Sequence, residues 1–219
     1  MRAVMPVDVR LYALIDPEHV GGYDVVELTR LVVRGGATLV QLRDKQLDAR
    51  PLLERARVAL AVCRDHGVPF VLNDRPDLTL DVGADGVHVG QDDASVGLAR
   101  RILGPDVIVG LSTHRREELE RALAEDVDYL SAGPVEPTPT KPGRRGTGLT
   151  YVRQASARAS VPVFVTGGVT PEKVPTLSQA GVRHFVVVRY LTEASDARGA
   201  ARSLRDAIDR ALSTEPPAA

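Results

Sequence analysis

The chain has 219 residues, with 28 basic and 29 acidic side chains and a formal net charge of -1. That balance differs from the basic excess of a general nucleic-acid-binding protein, and the single cysteine, Cys63, excludes an internal disulfide and a cysteine-rich metal cage. No run approaches the roughly 20 apolar residues that span a bilayer, and the segment MRAVMPVDVR lacks the apolar core of a secretory signal. We therefore expect a cytoplasmic protein with one hydrophobic core, which binds neither nucleic acid nor membrane.

Short apolar runs alternate along the chain with longer amphipathic stretches, a pattern typical of βα units around a parallel sheet. The predicted strands are Leu11–Ile15, Thr38–Leu42, Phe70–Leu72, Gly86–Val89, Val107–Leu111, Tyr129–Ala132, Val163–Val165 and His184–Val188. The predicted helices are Val25–Arg34, Ala49–Asp65, Pro76–Asp81, Ser95–Leu103, Arg115–Glu125, Thr150–Ala159, Pro171–Ala180 and Ala197–Leu212.

Eight such units of roughly 27 residues each fit a small (β/α)8 barrel of the TIM type. The competing fold is a doubly wound open sheet, which usually carries a glycine-rich phosphate fingerprint after its first strand. Here the first predicted strand is followed by Asp16-Pro17-Glu18. We therefore predict an α/β protein with a single barrel domain over residues 1–212, followed by a polar, proline-rich and disordered tail over 213–219.

In this fold, functional groups gather where the strands end. The second strand ends in Gln41-Leu42-Arg43-Asp44-Lys45, and its alternation places Gln41, Arg43 and Lys45 on one side. An amide and two cations on one side suit a polyanion such as a diphosphate. The alternative is a solvated loop with unconnected charges.

Carboxylates follow the next two strands. Asn73-Asp74 ends the third, and the fourth is followed by Asp92-Asp93. Since Mg2+ is commonly held by one or two carboxylates together with substrate phosphates, these positions suit a magnesium site. Asp74 could equally cap the helix that begins near Pro76, and His88, inside a strand, is interpreted as a packed core histidine.

The later strand ends add further polar groups. Ser112-Thr113-His114 follows the fifth strand, although neither a nucleophile nor a general base follows from that alone. Residues 133–148 form the longest stretch without periodicity and offer hydroxyl and cationic groups, as a lid over an anionic substrate would. Gly167 and Gly168 after the seventh strand predict a phosphate site, because the loops after strands seven and eight commonly bind phosphate in this fold.

Six motifs in this order resemble those of the thiamine-phosphate synthase family, over residues 11 to about 212. They are Gln-Leu-Arg-Asp-Lys at 41–45, Leu-Asn-Asp at 72–74, Gly-Val-His-Val-Gly-Gln-Asp-Asp at 86–93, Ser-Thr-His at 112–114, Pro-Thr-Pro-Thr-Lys at 137–141 and Gly-Gly-Val at 167–169. The resemblance implies a transferase that joins 4-amino-2-methyl-5-(hydroxymethyl)pyrimidine diphosphate to a thiazole phosphate. Its products would be thiamine phosphate and diphosphate.

The resemblance also implies roles for particular residues. Those expected to hold the pyrimidine diphosphate are Gln41, Arg43, Lys45, Asn73, Ser112 and Lys141, of which Arg43, Lys45, Ser112 and Lys141 would act on the reacting groups. Asp74 and Asp93 would bind Mg2+. Those expected to hold the thiazole phosphate are Thr138, Thr140, Gly168, Val188 and Arg189, the last two through backbone groups.

Three positions depart from the family pattern. Glu136 stands where an aromatic residue is usual, Thr166 replaces an aliphatic residue, and Arg189 stands where a serine is common. The departures concern the thiazole side of the expected site.

Two other functions compete with this interpretation. One is thiazole tautomerase, an isomerase of the same superfamily that would use His114 as its acid and base. The other is a phosphate-binding barrel without catalytic activity. A homo-oligomer is compatible with each of them.

Overall fold

Eight parallel strands close into a barrel in the computed structural model, which describes residues 5, 8–138, 143 and 145–213. The strands are hydrogen-bonded in chain order, and the first also pairs with the last: Tyr12 lies opposite Leu39 on one side and Val186 on the other. The strands are β1 Leu11–Ile15, β2 Leu39–Leu42, β3 Phe70–Asn73, β4 Gly86–Val89, β5 Ile108–Thr113, β6 Tyr129–Ala132, β7 Val163–Val165 and β8 His184–Val187. The predicted (β/α)8 barrel is confirmed.

Helices follow the strands and form the outer layer. They are α1 Val25–Arg34, α2 Ala49–Asp65, α3 Pro76–Val82, α4 Val96–Leu103, α5 Arg116–Ala122, α6 Gly148–Arg158, α7 Val174–Gln179, α8 Arg189–Thr192 and α9 Ala197–Ser213, with one 3-10 turn at Pro17–His19. Side-chain caps set two of the starts. The Asp24 carboxylate accepts a hydrogen bond from the Glu27 amide at 2.8 Å, and the Ser95 hydroxyl accepts one from the Leu98 amide at 3.2 Å.

Most element boundaries agree with the sequence prediction to within a few residues, and the differences affect the site. The third and fifth strands extend through Asn73 and Thr113, so the polar residues Asn73 and Ser112 lie inside strands rather than after them. Helix α7 begins at Val174 instead of Pro171, because the carbonyl of Thr170 first accepts the amides of Lys173 and Val174 in a turn. The four-residue helix α8 was not predicted.

The last helix continues one residue beyond its predicted end. Ser213, assigned to the tail by the sequence prediction, is the final residue of α9, and its hydroxyl donates to the carbonyl of Asp209 at 2.7 Å. The rest of the predicted tail, 214–219, lies outside the described residues.

Aromatic rings fill the interior of the barrel. Tyr12 packs edge-to-face against Tyr129 and Phe164, with ring centroids 6.0 and 5.2 Å apart, and Tyr129 and Phe164 are 5.0 Å apart. Gly110 makes room for them, since a Cβ there would lie 2.0 Å from the Tyr129 ring. Two of these rings, those of Tyr12 and Tyr129, bring hydroxyl groups into the interior of the barrel.

The helices cover the outside of the barrel with apolar faces. Leu28 and Val32 of α1 lie four residues apart and are fully buried, as are Leu204 and Ile208 of α9. All four belong to one core cluster with the outward-facing residues of β1 and β8. Of the helices within the described part of the chain, none is long and apolar enough to cross a membrane.

Candidate active site

A cavity of about 410 Å³ opens at the carboxyl ends of the strands. Every predicted site residue that the structure describes lines it: Gln41, Arg43, Lys45, Asn73, Asp74, Asp93, Ser112, Thr138, Gly168, Val188 and Arg189. Thr140 and Lys141 lie outside the described residues. Side chains that are distant in sequence, from β2 to the segment after β8, therefore share one cavity.

The predicted alternation along β2 places its three polar side chains as expected. Gln41 is buried inside the barrel, Arg43 is partly buried just beyond the strand, and Lys45 is half exposed. The three line the same cavity from its interior to its opening. They supply amide, guanidinium and ammonium donors to one anionic ligand.

Arg43 is anchored by a buried carboxylate. Its Nη1 donates to Oδ2 of Asp16, whose side chain is only 2% exposed. The Arg43 amide also donates to the carbonyl of Ile15 at 2.9 Å. A guanidinium has five N–H donors, so the contact with Asp16 orients the group while leaving donors for a ligand. Asp16 was not identified as a site residue from the sequence.

On the neighbouring strands, two carboxylates face one another beside a lysine. Lys45 Nζ lies 2.8 Å from Asp74 Oδ2, and the amide of Gly90 donates to Asp93 Oδ2 at 3.0 Å. Burial raises the pKa of Asp74, as does the adjacent Asp93, while Lys45 opposes the rise. Asp74 has a φ of 62°, a left-handed conformation that non-glycine residues seldom adopt.

This donor set fits Mg2+. The ion prefers oxygen ligands and usually takes only one or two protein carboxylates, completing its shell with water and substrate phosphates. The described residues contain no group of three or more His, Cys, Asp or Glu side chains arranged to hold a metal ion. A divalent cation between Asp74 and Asp93 would neutralise two neighbouring negative charges.

A continuous hydrogen-bonded chain crosses the barrel beneath the cavity. Ser112 Oγ lies 2.8 Å from His88 Nε2, and His88 Nδ1 lies 2.9 Å from the Tyr129 hydroxyl. That hydroxyl lies 2.9 Å from the Tyr12 hydroxyl, which accepts from Gln41 Nε2 at 2.5 Å. Burial raises the pKa of both tyrosines, so their hydroxyls stay protonated at neutral pH.

The chain has a preferred direction. Since Gln41 donates to Tyr12, Tyr12 can donate to Tyr129, and Tyr129 to His88 Nδ1. In the neutral tautomer that carries its proton on Nε2, His88 can donate to Ser112 Oγ, which leaves the serine hydroxyl hydrogen available to the cavity. At the other end, buried Gln41 Oε1 has no hydrogen-bond partner among the described residues. The chain therefore presents one donor and one acceptor to a ligand, and His88 is the packed core histidine that the sequence predicted.

His114 also lines the cavity and is held by an acidic partner four residues further along the chain. Both its amide and its Nδ1 lie 2.8 Å from Glu118 Oε2. Glu118 is buried at the start of α5. The sequence pattern alone does not predict this contact between His114 and Glu118, because it does not fix the residue at which α5 begins.

The other end of the cavity is formed by a glycine turn after β7. Gly167 and Gly168 have φ values of +96° and +75°, in the region that favours glycine. A Cβ on Gly167 would lie 2.5 Å from Pro134, so the loop after β6 packs directly on this turn. The amide of Val135 also donates to the carbonyl of Thr166 at 2.8 Å. The two loops thus form one wall.

Arg189 directs its side chain to a neighbouring carboxylate. Its Nε donates to Glu193 Oε1 at 2.7 Å, which raises the pKa of the arginine and lowers that of the glutamate. Val188 and Arg189 stand at the start of α8, on the cavity wall beside Gly168. The contact with Glu193 engages one of the five N–H donors of the guanidinium and orients the group within the protein.

The arrangement of this barrel has close parallels among known proteins. The family model described as thiamine monophosphate synthase matches residues 11–191. The chain belongs to the thiamine monophosphate synthase family. A thiamine-phosphate synthase of Thermus thermophilus is 45% identical over 201 residues, covering 91% of this chain and 97% of that protein. That of Mycobacterium sp. strain KMS is 42% identical over 208 residues, covering 90% and 92%.

A solved structure of the family has the same architecture. The thiamine phosphate pyrophosphorylase of Pyrococcus furiosus superposes with a TM-score of 0.85 at 31% identity, covering 93% of this chain and 97% of that one. The resemblance inferred from the six motifs is confirmed.

The three departures from the family pattern lie together on the wall formed by the loops after β6, β7 and β8. Thr166 lines the cavity and Arg189 is paired with Glu193. Glu136 is half exposed, and its Oε2 accepts from Lys173 Nζ at 2.5 Å. The side of the cavity formed by the ends of β2, β3 and β4 carries none of these departures.

Sequence reasoning missed four residues of this site: Asp16, Tyr12, Tyr129 and Glu118. Gly110, a glycine in the middle of a predicted strand, was a usable signal, because such a residue often marks the close approach of another group. Asp16 and Tyr12 act through partners that are distant in sequence, which strand-end position alone does not reveal. Glu118 meets His114 only because α5 begins where it does.

Proposed function

We propose that this chain catalyses the synthesis of thiamine phosphate, joining the pyrimidine diphosphate to a thiazole phosphate with release of diphosphate. The observation that supports it best is the division of one cavity into two anion-binding sides. Lys45, Arg43 and the Asp74–Asp93 pair lie on one side, and the glycine turn at Gly168 lies on the other. Two substrates that each carry phosphate suit this division.

The diphosphate is assigned to the β2–β4 side. Arg43 and Lys45 supply cationic donors, and Asn73 adds an amide from the neighbouring strand. Charge-assisted hydrogen bonds of this kind are the strongest contacts that a phosphate makes with a protein. Lys141, which lies outside the described residues, is expected to join them.

Asp74 and Asp93 would hold Mg2+, which would supply electrostatic stabilisation of the charge that grows on the departing diphosphate. The carbon–oxygen bond breaks with its electron pair leaving on the diphosphate, and an electron-rich aminopyrimidine carries the resulting positive charge. Arg43 and Lys45 stabilise the same leaving group from the protein side.

The pyrimidine ring is assigned to the interior of the cavity, above the hydrogen-bonded chain. Ser112 can donate to a ring nitrogen, and Gln41 Oε1 can accept from an amino group. A 4-aminopyrimidine offers both partners on one edge. This pairing would hold the reacting carbon in a fixed orientation.

The thiazole phosphate is assigned to the opposite wall, where Gly168, Val188 and Arg189 present backbone groups and Thr138 a hydroxyl; Thr140 is also assigned here. The thiazole nitrogen then captures the pyrimidine cation, forming the carbon–nitrogen bond with its own lone pair. Alignment of the two rings and exclusion of water are required, since water would consume the cation. The loop over 133–148 is our candidate for that exclusion.

The test is an assay for thiamine phosphate with both substrates present, in Mg2+ and in excess EDTA. We expect thiamine phosphate and diphosphate in equal amounts. Both should form only when Mg2+ and both substrates are present. Folded protein that makes no thiamine phosphate in Mg2+ would contradict the proposal.

One observation favours the tautomerase as a second candidate. The His114–Glu118 pair on the cavity wall is an oriented imidazole–carboxylate pair of the kind used in general acid–base catalysis. Incubation with the thiazole phosphate alone distinguishes the two activities, because only a tautomerase would convert it without the pyrimidine.

A further inference from the structure

An ion pair lies on the glycine turn where the thiazole phosphate is expected. A Cβ on Gly168 would lie 2.6 Å from Glu136 Oε2 and 3.4 Å from Lys173 Nζ. The two charged atoms are themselves 2.5 Å apart. A carboxylate oxygen and an ammonium group thus lie against the backbone that would receive an anion.

Two of the described cations near this turn are paired within the protein. Lys173 is paired with Glu136, and Arg189 with Glu193 at 2.7 Å. The two pairs differ in how they are held. Glu193 directly follows α8, four residues after Arg189, whereas Glu136 reaches Lys173 from a different loop. The Glu136–Lys173 pair is therefore not fixed by the spacing of residues along a single helix.

We propose that Lys173 is a ligand of the thiazole phosphate and that Glu136 is an internal anion which the phosphate displaces. This inference rests on the proposed function and adds a residue to its phosphate-binding side. Exposed ion pairs are weak, and the side chains of Lys173 and Glu136 are 45% and 50% exposed. A phosphate dianion carries more charge than a carboxylate and can hydrogen-bond to the backbone of the turn as well.

The displacement would make the site selective for the phosphorylated thiazole. A thiazole that carries a neutral alcohol has no charge with which to replace the carboxylate at Lys173. Glu136 would then keep the lysine neutralised until a phosphate arrives.

The test compares Lys173→Met and Glu136→Gln with matched changes in a distant pair. Arg57 and Asp81 lie on α2 and α3, are 55% and 54% exposed and are 2.8 Å apart, so Arg57→Met and Asp81→Asn are the controls. We expect Lys173→Met to raise the KM for the thiazole phosphate about tenfold, the size of a lost charge-assisted hydrogen bond. Glu136→Gln should lower it about threefold.

The KM for the pyrimidine diphosphate is the internal control and should stay within about twofold in all four variants. An unchanged thiazole-phosphate KM in Lys173→Met, or a raised one in Glu136→Gln, would overturn the proposal. An equal rise in both KM values would do the same, since it would indicate a general disturbance.

A second measurement does not depend on turnover. The binding of inorganic phosphate to each variant can be measured by the thermal stabilisation that phosphate causes. Phosphate should bind more weakly to Lys173→Met and more tightly to Glu136→Gln than to the unmodified protein. If the protein makes no thiamine phosphate, the proposed function fails, and this measurement still decides the role of Lys173. Equal phosphate affinity in Lys173→Met and the unmodified protein would refute it.

Discussion

Buried arginine–aspartate pairs lie at opposite ends of this barrel and have different roles. At the amino end, Arg100 Nη2 lies 2.6 Å from Asp128 Oδ2. At the carboxyl end, Arg43 pairs with Asp16. In each pair the carboxylate is almost completely buried, so the residue types alone do not distinguish the two.

Their neighbours distinguish them. Arg100 also donates to the carbonyls of Val107 and Asp126, at 2.7 and 2.9 Å, and Asp128 accepts the amide of Val109 at 2.8 Å. These contacts join α4 to the starts of β5 and β6. Arg43 instead faces the cavity, with donors available to a ligand. The amino-end pair thus joins elements of the barrel, whereas the proposed function assigns the chemistry to the carboxyl end, which is the usual division of this fold.

The largest effect on stability is expected from Arg100→Met. Removing the guanidinium deprives the buried Asp128 carboxylate of its cation, which should lower the free energy of unfolding by about 3 kcal/mol. The kcat should remain within about twofold, because the change lies at the far end of the barrel. Urea unfolding and steady-state assays on the same preparation measure both, with Arg57→Met as the exposed control. An unchanged midpoint of urea unfolding in Arg100→Met would contradict the stabilising role of the pair at the amino end.

Lys45→Met should show the reverse pattern. We expect kcat to fall about thirtyfold, since one cation that faces the leaving diphosphate is lost. The free energy of unfolding should change by less than about 1 kcal/mol, because the pair with Asp74 is half exposed on the lysine side. Steady-state kinetics and urea unfolding measure the two effects, and normal turnover would exclude Lys45 from the diphosphate side.

Tyr129→Phe tests the hydrogen-bonded chain that lies between the two ends. Loss of the hydroxyl removes a partner of both Tyr12 and His88 and should cost about 1–2 kcal/mol of stability. Turnover should fall as well, since Ser112 and Gln41 lose the chain that orients them. Tyr23→Phe is the matched control, because the Tyr23 hydroxyl donates to Ser195 at an exposed position. Equal stability of the two variants would contradict a structural role for the chain.

The smallest effect is expected at Asp209, on the amino-end surface. Burial raises its pKa, but the contacts with Arg205 at 2.8 Å and Arg10 at 3.0 Å outweigh this and lower the pKa overall. A lowered pKa in the folded state contributes stability above the unfolded value of about 3.9, and that contribution is lost as the pH falls through the folded value.

Asp209→Asn should therefore reduce stability at pH 7 by at most about 0.5 kcal/mol, since the side chain is 41% exposed. The difference from the unmodified protein should vanish in strong acid. Urea unfolding at pH 7 and pH 2.5 measures it, with Asp206→Asn on the same helix as control. A difference that persists at pH 2.5 would show that the charge is not its cause.

The fold and most of the cavity residues could be predicted from the sequence, whereas several of their partners could not. The barrel followed from alternating apolar and amphipathic segments, and the cavity residues followed from the position of polar groups at strand ends. Asp16 was missed although it is also at a strand end, because a carboxylate there has several structural uses. Tyr12 and Tyr129 were missed because their hydroxyls meet across 117 positions of sequence. Local patterns contain no information on contacts of that separation.

The most direct test of the division between the two ends is the turnover of Asp93→Asn in a Mg2+ titration, beside Asp92→Asn. Asp93 lines the cavity, and its exposed neighbour Asp92 does not. We predict that Asp93→Asn forms thiamine phosphate about a hundredfold more slowly at ordinary Mg2+ concentrations, while Asp92→Asn stays within about twofold and both variants keep the unmodified urea midpoint. Normal turnover by Asp93→Asn at an unchanged Mg2+ requirement would contradict the assignment of the chemistry to this end of the barrel.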